Sequence, residues 1–268
     1  MKGPEDFDYP VDTKGLGPLR TYPPNPQVPP PGPRPSCRCL VEGLPLLHGE
    51  EQDTSCEAWQ VVLENIELAV KEGQEEFNPL IGLAGSERHL VITLPESIER
   101  LVNVRKLFLY ASHLVRIPPQ IAGMRSLSVL DVYTSESLHF LPYEITRCKN
   151  LDRSRASTRV LYGNHKYRPP FPDLTSSENL PAFAQLTPSS CSVCQAPLDP
   201  ARVVRRWITL DVATDAFPLL VNACSIACIE ALPTPAANYV QVPHEGGLGV
   251  QQPLPSDYFA RARLAPGE

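Results

Sequence analysis

Apolar positions repeat along residues 94–151. The pattern apolar-Pro-x-x-Ile starts at Leu94, Ile117 and Leu141, spaced by 23 and then 24 residues. After the first start come Leu101, Val104, Leu107, Leu109 and Leu114; Met124, Leu127, Leu130, Val132 and Leu138 answer them in the second. Self-similarity at this period marks a stacked repeat, because one unit cannot bury its apolar face alone. Within each unit, alternation around Leu107/Leu109 and Leu130/Val132 predicts a short strand with the leucines inward. Successive strands are predicted to pair in parallel. Ile98/Leu101 and Ile121/Met124 predict a helical or 3₁₀ return, begun by Pro95, Pro118 and Pro142, whose rings fix φ.

The flanks carry other periods. Residues 55–76 read as a helix capped by Ser55, with Trp59, Val62, Leu63, Ile66, Leu68, Ala69 and Val70 on its apolar face. Residues 77–85 read as loop and 89–93 as a short strand; helix and strand together predict an N-terminal cap on the stack. The third unit loses its inward leucines to Arg153, Ser154 and Arg155. A strand is predicted to resume over 158–162, before the turn at Gly163-Asn164. Arg153, Arg155, Arg159, His165, Lys166 and Arg168 form the densest basic cluster, a candidate contact for an anion or acidic partner. Residues 173–187 read as a linker.

Composition divides the chain. The 31 prolines concentrate at the start, and residues 1–54 read as a disordered Pro-rich tail, open to a proline-motif reader. A net charge of −6 argues against nucleic acid and anionic membrane as general partners. The acidic start lacks signal-peptide features, and no apolar run is long enough to span a membrane, so a cytoplasmic location and reduced thiols are expected. No nucleotide-binding loop, zinc-protease motif or nucleophile elbow occurs, and an enzyme is not expected.

Eight cysteines then gain meaning from spacing. Cys191 and Cys194 are separated by two residues, Cys224 and Cys228 by three, with 29 residues between the pairs. Between them, 205–212 and 217–221 read as strands joined at Ala213-Thr214-Asp215; after Cys224 a short helix is stopped by Pro233. A two-residue gap lets both thiolates face one ion, and one helical turn does the same for the second pair. Structural Zn²⁺ at Cys191, Cys194, Cys224 and Cys228 is the expectation, with no position left for a catalytic water. A second set from Cys37, Cys39, His48 and Cys56 is conceivable, though ordinary thiols are preferred; Cys148 reads as core. His244 reads as a surface histidine and 236–268 as a C-terminal extension frayed at its end.

Residues 88–165 resemble leucine-rich repeats of the LPxxIxxLxxL class, known from intracellular Ras-binding and plant Ras-group proteins. That family carries Asn after each strand, where this chain has Ser112 and Ser135; a hydroxyl offers fewer hydrogen bonds, predicting less regular turns. Residues 190–232 resemble treble-clef zinc modules. The fold expected is therefore α/β. It comprises a short leucine-rich-repeat solenoid with its capping helix (55–172) and a small zinc-stapled α+β module (188–235). The resemblance implies a scaffold or adaptor holding protein partners on the concave strand surface. Lys106, Phe108, Tyr110, Asp131 and Tyr133 are its candidate contacts, with Ser128 beside them and Arg155 and Arg159 at the edge. A substrate receptor for a ubiquitin-ligase-like complex and a nucleic-acid-associated zinc module are the alternatives.

Overall fold

The computed structural model describes residues 45–254. Seven strands occur among them: β1 (Glu76–Phe77), β2 (Lys106–Phe108), β3 (Val129–Val132), β4 (Leu141–Pro142), β5 (Arg153–Ala156), β6 (Val204–Val212) and β7 (Asp215–Ala223). The helices are α1 (Glu57–Glu72), α2 (Gly85–Arg88), α3 (Leu180–Leu186) and α4 (Ile226–Glu230). The architecture is mixed α/β. One sheet is parallel, ordered β1-β2-β3-β5; the other is mixed, ordered β4-β7-β6, with β4 parallel and β6 antiparallel to β7.

The repeat pattern positions the parallel sheet. Leu107 pairs with Phe77 on one side and Leu130 on the other, and Leu130 pairs with Ser154. Phe77, Leu107 and Leu130 are buried, as alternation requires. Each Pro of the repeat caps a 3₁₀ turn: Glu96–Arg100, Pro119–Gly123 and Tyr143–Arg147, with Ile98, Ile121 and Ile145 buried. The turns stack closely. A Cβ on Gly123 would lie 2.6 Å from the Glu99 Cα, so only glycine permits this approach.

The turns that leave β2 and β3 are alike. Ala111 and Thr134 take left-handed φ values of 54° and 59°. The serines that follow are buried, and their hydroxyls bond at 2.8 Å, with Ser135 Oγ donating to the Leu109 carbonyl at 2.8 Å. The expected irregularity is absent because each hydroxyl satisfies its neighbour across the stack.

Several local expectations need correction. Residues 89–93 form no strand; β1 supplies the sheet edge instead, since the left-handed Gly73 ends α1 and turns the chain back beside β2. Ser55 does not cap α1, its hydroxyl being taken by Asp53, and Leu68 faces out. The third strand is 153–156 itself, and 158–160 is a 3₁₀ turn. Only Ser154 replaces an inward leucine. Its hydroxyl donates to Asp215 at 2.7 Å and its carbonyl accepts from Thr214 at 2.9 Å, both at the β6–β7 turn. A polar residue belongs there because the hairpin tip, not another leucine row, covers that end of the sheet.

The segment expected as a linker, 173–187, contains α3, with Ala182 and Phe183 buried. With Leu47, Phe140, Tyr162, Phe171, Leu174, Trp207 and Leu220 they build a second core. Residues 45–54 of the expected tail are ordered, Leu47 N–H donating to the buried Asn179 at 2.8 Å; residues 1–44 lie outside the described residues. His244 is not a surface residue: its backbone pairs with Trp207 in both directions, at 2.7 and 3.0 Å. The larger core runs from α1 through the repeats to Ile208, Leu210, Phe217, Leu219 and Val221. The hairpin thus has apolar residues on both faces, which is why 217–221 reads as an unbroken apolar run.

His139 sits fully buried beside the second core, Nδ1 donating to the Val160 carbonyl at 2.6 Å, its ring stacked on His48 and against Tyr162. Burial pushes its pKa down to about 4, with the Val160 carbonyl opposing and His48 assisting. The folded value lies below the unfolded one, so the native state is favoured by neutral imidazole. Stability is then full above pH ~6.5 and is lost as pH falls towards 4. We expect His139→Phe to flatten this decline by roughly 3 kcal/mol between those limits, read by urea unfolding at pH 7 and 4.5.

Candidate metal centre and outward sheet face

The cysteine pairs converge. All four Sγ atoms lie within 4.8 Å of one another, Cys224 being 3.6 Å from both Cys194 and Cys228. The four are free thiols. A tetrahedron with metal–sulfur bonds of about 2.3 Å has edges of about 3.8 Å, so these spacings fit one ion.

Local structure explains the convergence. Cys191 and Cys194 sit in a tight knuckle closed by Gln195 N–H to the Cys191 carbonyl at 3.0 Å, with Gln195 at φ 65°. Cys224 directly follows β7. Cys228 lies in the first turn of α4, where the Ser225 cap oxygen accepts its N–H at 3.4 Å. The knuckle is pinned from outside: Arg147 Nη2 donates to the Ser192 carbonyl at 2.6 Å, and Ser192 exchanges hydrogen bonds with Asn222.

The electrostatics favour a cation. Burial raises the Cys191 pKa, but amide N–H groups of Cys194, Val193 and Cys224 and the Cys194 thiol outweigh it and bring it down to about 6. Cys224 is pushed up to about 12 because Cys194 and Cys228 hold its protonated form by hydrogen bonds. Three thiols around one thiolate share protons that a divalent cation can replace. Cys148 is core: burial raises its pKa to about 11 and its thiol donates to the Ile121 carbonyl at 3.3 Å. Cys56 bonds the Asp53 carbonyl and His48 faces Glu50, while Cys37 and Cys39 lie outside the described residues.

Apart from Arg159, the predicted contact residues fall on the outward side of the parallel sheet, with one exchange: Val129, not Ser128, holds the outward place beside Lys106. Ser128 precedes β3 and bonds back to the Arg105 carbonyl. Lys106 pairs with Glu76 at 2.7 Å. Phe108 is half-buried, in register with Asp131, which faces Arg155 at 3.6 Å. Tyr110 and Tyr133 stack at 6.2 Å and remain 50% and 38% exposed. The Arg155 guanidinium lies 4.5 Å from the Tyr133 ring centre and 5.9 Å from that of Tyr110. Arg159 stands apart with Glu136. The rest of the basic cluster disperses: Arg168 reaches the Gly163 and Asn238 carbonyls.

Sequence reading missed the supports Arg147, Ser192 and Asn222. Asn222 carries a weak signal, as the polar residue ending an apolar strand; Arg147 carries none. Among the described residues no helix is long and apolar enough to cross a membrane. No protein-family model matches this chain, and a search of curated proteins finds no match either.

Proposed function

We propose that this chain is a non-catalytic binding protein. A short leucine-rich-repeat block, closed by α1 at one end and by a four-cysteine zinc hairpin at the other, offers partner proteins the outward face of its parallel sheet. The carrying observation is the exposed Tyr110–Tyr133 stack under Arg155. Tyrosine and arginine dominate binding energy at protein interfaces, and a pre-stacked trio loses little rotamer freedom on contact. Zinc is the ion favoured by four thiolates at tetrahedral spacing in an all-sulfur set. It would fasten the knuckle, the end of β7 and α4, leaving the sheet face to bind.

Affinity purification with mass spectrometry from the native host tests this. Tyr110→Ala combined with Tyr133→Ala is expected to remove a partner that the parent protein recovers. A loss of about 2 kcal/mol, roughly 30-fold in affinity, is the scale for such anchors. Both side chains are exposed, so thermal stability should stay close to the parent's. Unchanged recovery of every partner would defeat the reading.

A further inference from the structure

A groove of about 290 Å³ opens beside the start of β6, lined by Leu174, Thr175, Val203, Val204, Arg205, Arg206 and Glu245. It lies away from the outward face of the parallel sheet: β6 is the edge strand of the other one. Further along, that edge is covered, by His244 at Trp207 and by Ala236 N–H at Thr209. Beside the groove the Arg205 carbonyl accepts from the Arg206 side chain, Nη1 donating at 2.7 Å.

Arg205 is the unusual group. Its guanidinium lies 4.1 Å from the Phe183 ring centre, and Nη2 donates to the Thr187 hydroxyl at 2.7 Å. Thr187 donates its own proton to the Phe183 carbonyl at 2.6 Å, which fixes the acceptor. The buried Nε–H has no acceptor, and no carboxylate pairs with Arg205 among the described residues. Burial alone moves its pKa, downwards, with no opposing anion. An unpaired, partly buried guanidinium is costly, and its cost falls when an oxyanion meets the planar N–H fork. A second guanidinium, Arg206, stands at the same groove, held at 2.8 Å by Glu245, a half-exposed residue on the rim.

We propose that this groove is an oxyanion site, taking a carboxylate or phosphate group through Arg205, with Arg206 as second donor when Glu245 yields it. The ring of Phe183 and the Thr187 hydroxyl hold the Arg205 fork before the ligand arrives, as preorganised sites do. The groove is open on one side, so the anion can be free or carried by a larger molecule. The assignment is independent of the binding role given to the parallel sheet.

The test follows the arginine Nε–H resonances of the full chain by NMR during titration with inorganic phosphate, sodium acetate and a capped Ala-Ala-Glu-Ala-Ala peptide, at constant ionic strength. The Arg205 resonance is expected to shift saturably with at least one probe. Tighter binding of phosphate identifies a phosphoryl ligand; tighter binding of the peptide than of acetate identifies an acidic protein segment. Arg205→Gln is expected to weaken binding by about tenfold or more, followed on the backbone amides of Leu174 and Thr175. Glu245→Gln, on the exposed rim, leaves the fold intact and is expected to tighten binding by about two- to fivefold, since it releases Arg206. Non-saturating shifts with all three probes, or a Glu245→Gln protein that binds no better than the parent, overturn the assignment.

Discussion

Stripping the metal from Cys191, Cys194, Cys224 and Cys228 is expected to unfold the hairpin end of the molecule and to lower the melting temperature by roughly 10 °C, the scale of a loss of about 4 kcal/mol in a unit of this size. Structural zinc contributes about 10–16 kcal/mol to metal-dependent folding of isolated fingers, so a larger protein that keeps only part of that linkage still loses much. The outer half of the site has little else to hold it, since Cys194 is exposed and α4 has no fully buried residue. Damage should spread by a defined route. Losing the knuckle frees the Ser192–Asn222 pair and the Arg147 contact, then β7, which pairs with β4, and then the Asp215 and Thr214 contacts to Ser154 on β5. Hydrogen exchange should therefore rise over 190–228 first and at β5 next, with α1 and β2 last. Cys191→Ser should reproduce the effect, while Cys56→Ser, outside the site, should leave metal content at one ion per chain. A metal-free parent protein with unchanged melting would refute the zinc assignment.

What could be read in advance follows from where the information lies. The repeat period placed Leu107 and Leu130 in one inward row and the three Pro-capped turns in another, because stacking forces alternation and spacing to agree. The cysteine set was legible for a similar reason: a knuckle and one helical turn each fix a short distance. Long-range contacts were not legible. Ser154 looked like a failing repeat because its partners, Thr214 and Asp215, lie sixty residues on. Residues 173–187 looked like a linker because the face of α3 is small, and Phe183 gains its core only when Leu47, Phe140 and Trp207 arrive from three distant segments. The groove at Arg205 was invisible, since an unpaired guanidinium is a statement about missing neighbours. In the same way, no short-range pattern joins β4 to β7, yet that pairing ties the repeats to the hairpin in one sheet.

Replacing Trp207 is expected to be the most damaging single change outside the metal centre. The indole is fully buried, its ring centre 5.1 Å from Phe140 and 5.7 Å from both Tyr162 and Phe171, and its Nε1–H donates to the Pro172 carbonyl at 2.9 Å. Truncating such a ring to alanine costs about 3–5 kcal/mol through lost transfer energy and the cavity left behind. The orphaned Pro172 carbonyl adds about 1 kcal/mol or more if water does not reach it. The site has little room to collapse, because the chain returning beside it is tightly set: a Cβ on Gly246 would come within 1.9 Å of the same Pro172 oxygen, and Gly246 holds φ at 83°. Trp207→Phe separates the two contributions, refilling most of the volume without the donor, and should recover about half of the loss. The second core holds Leu47 and α3, and His244 ties the 244–247 segment to it through the Trp207 backbone and the Phe171 ring. Trp207→Ala should therefore expose these to hydrogen exchange and abolish the near-ultraviolet circular dichroism of the aromatic cluster, while the parallel sheet stays protected. Urea unfolding that places Trp207→Ala within about 1 kcal/mol of the parent would mean that this aromatic cluster does not hold the segments around Leu47 and His244 to the hairpin.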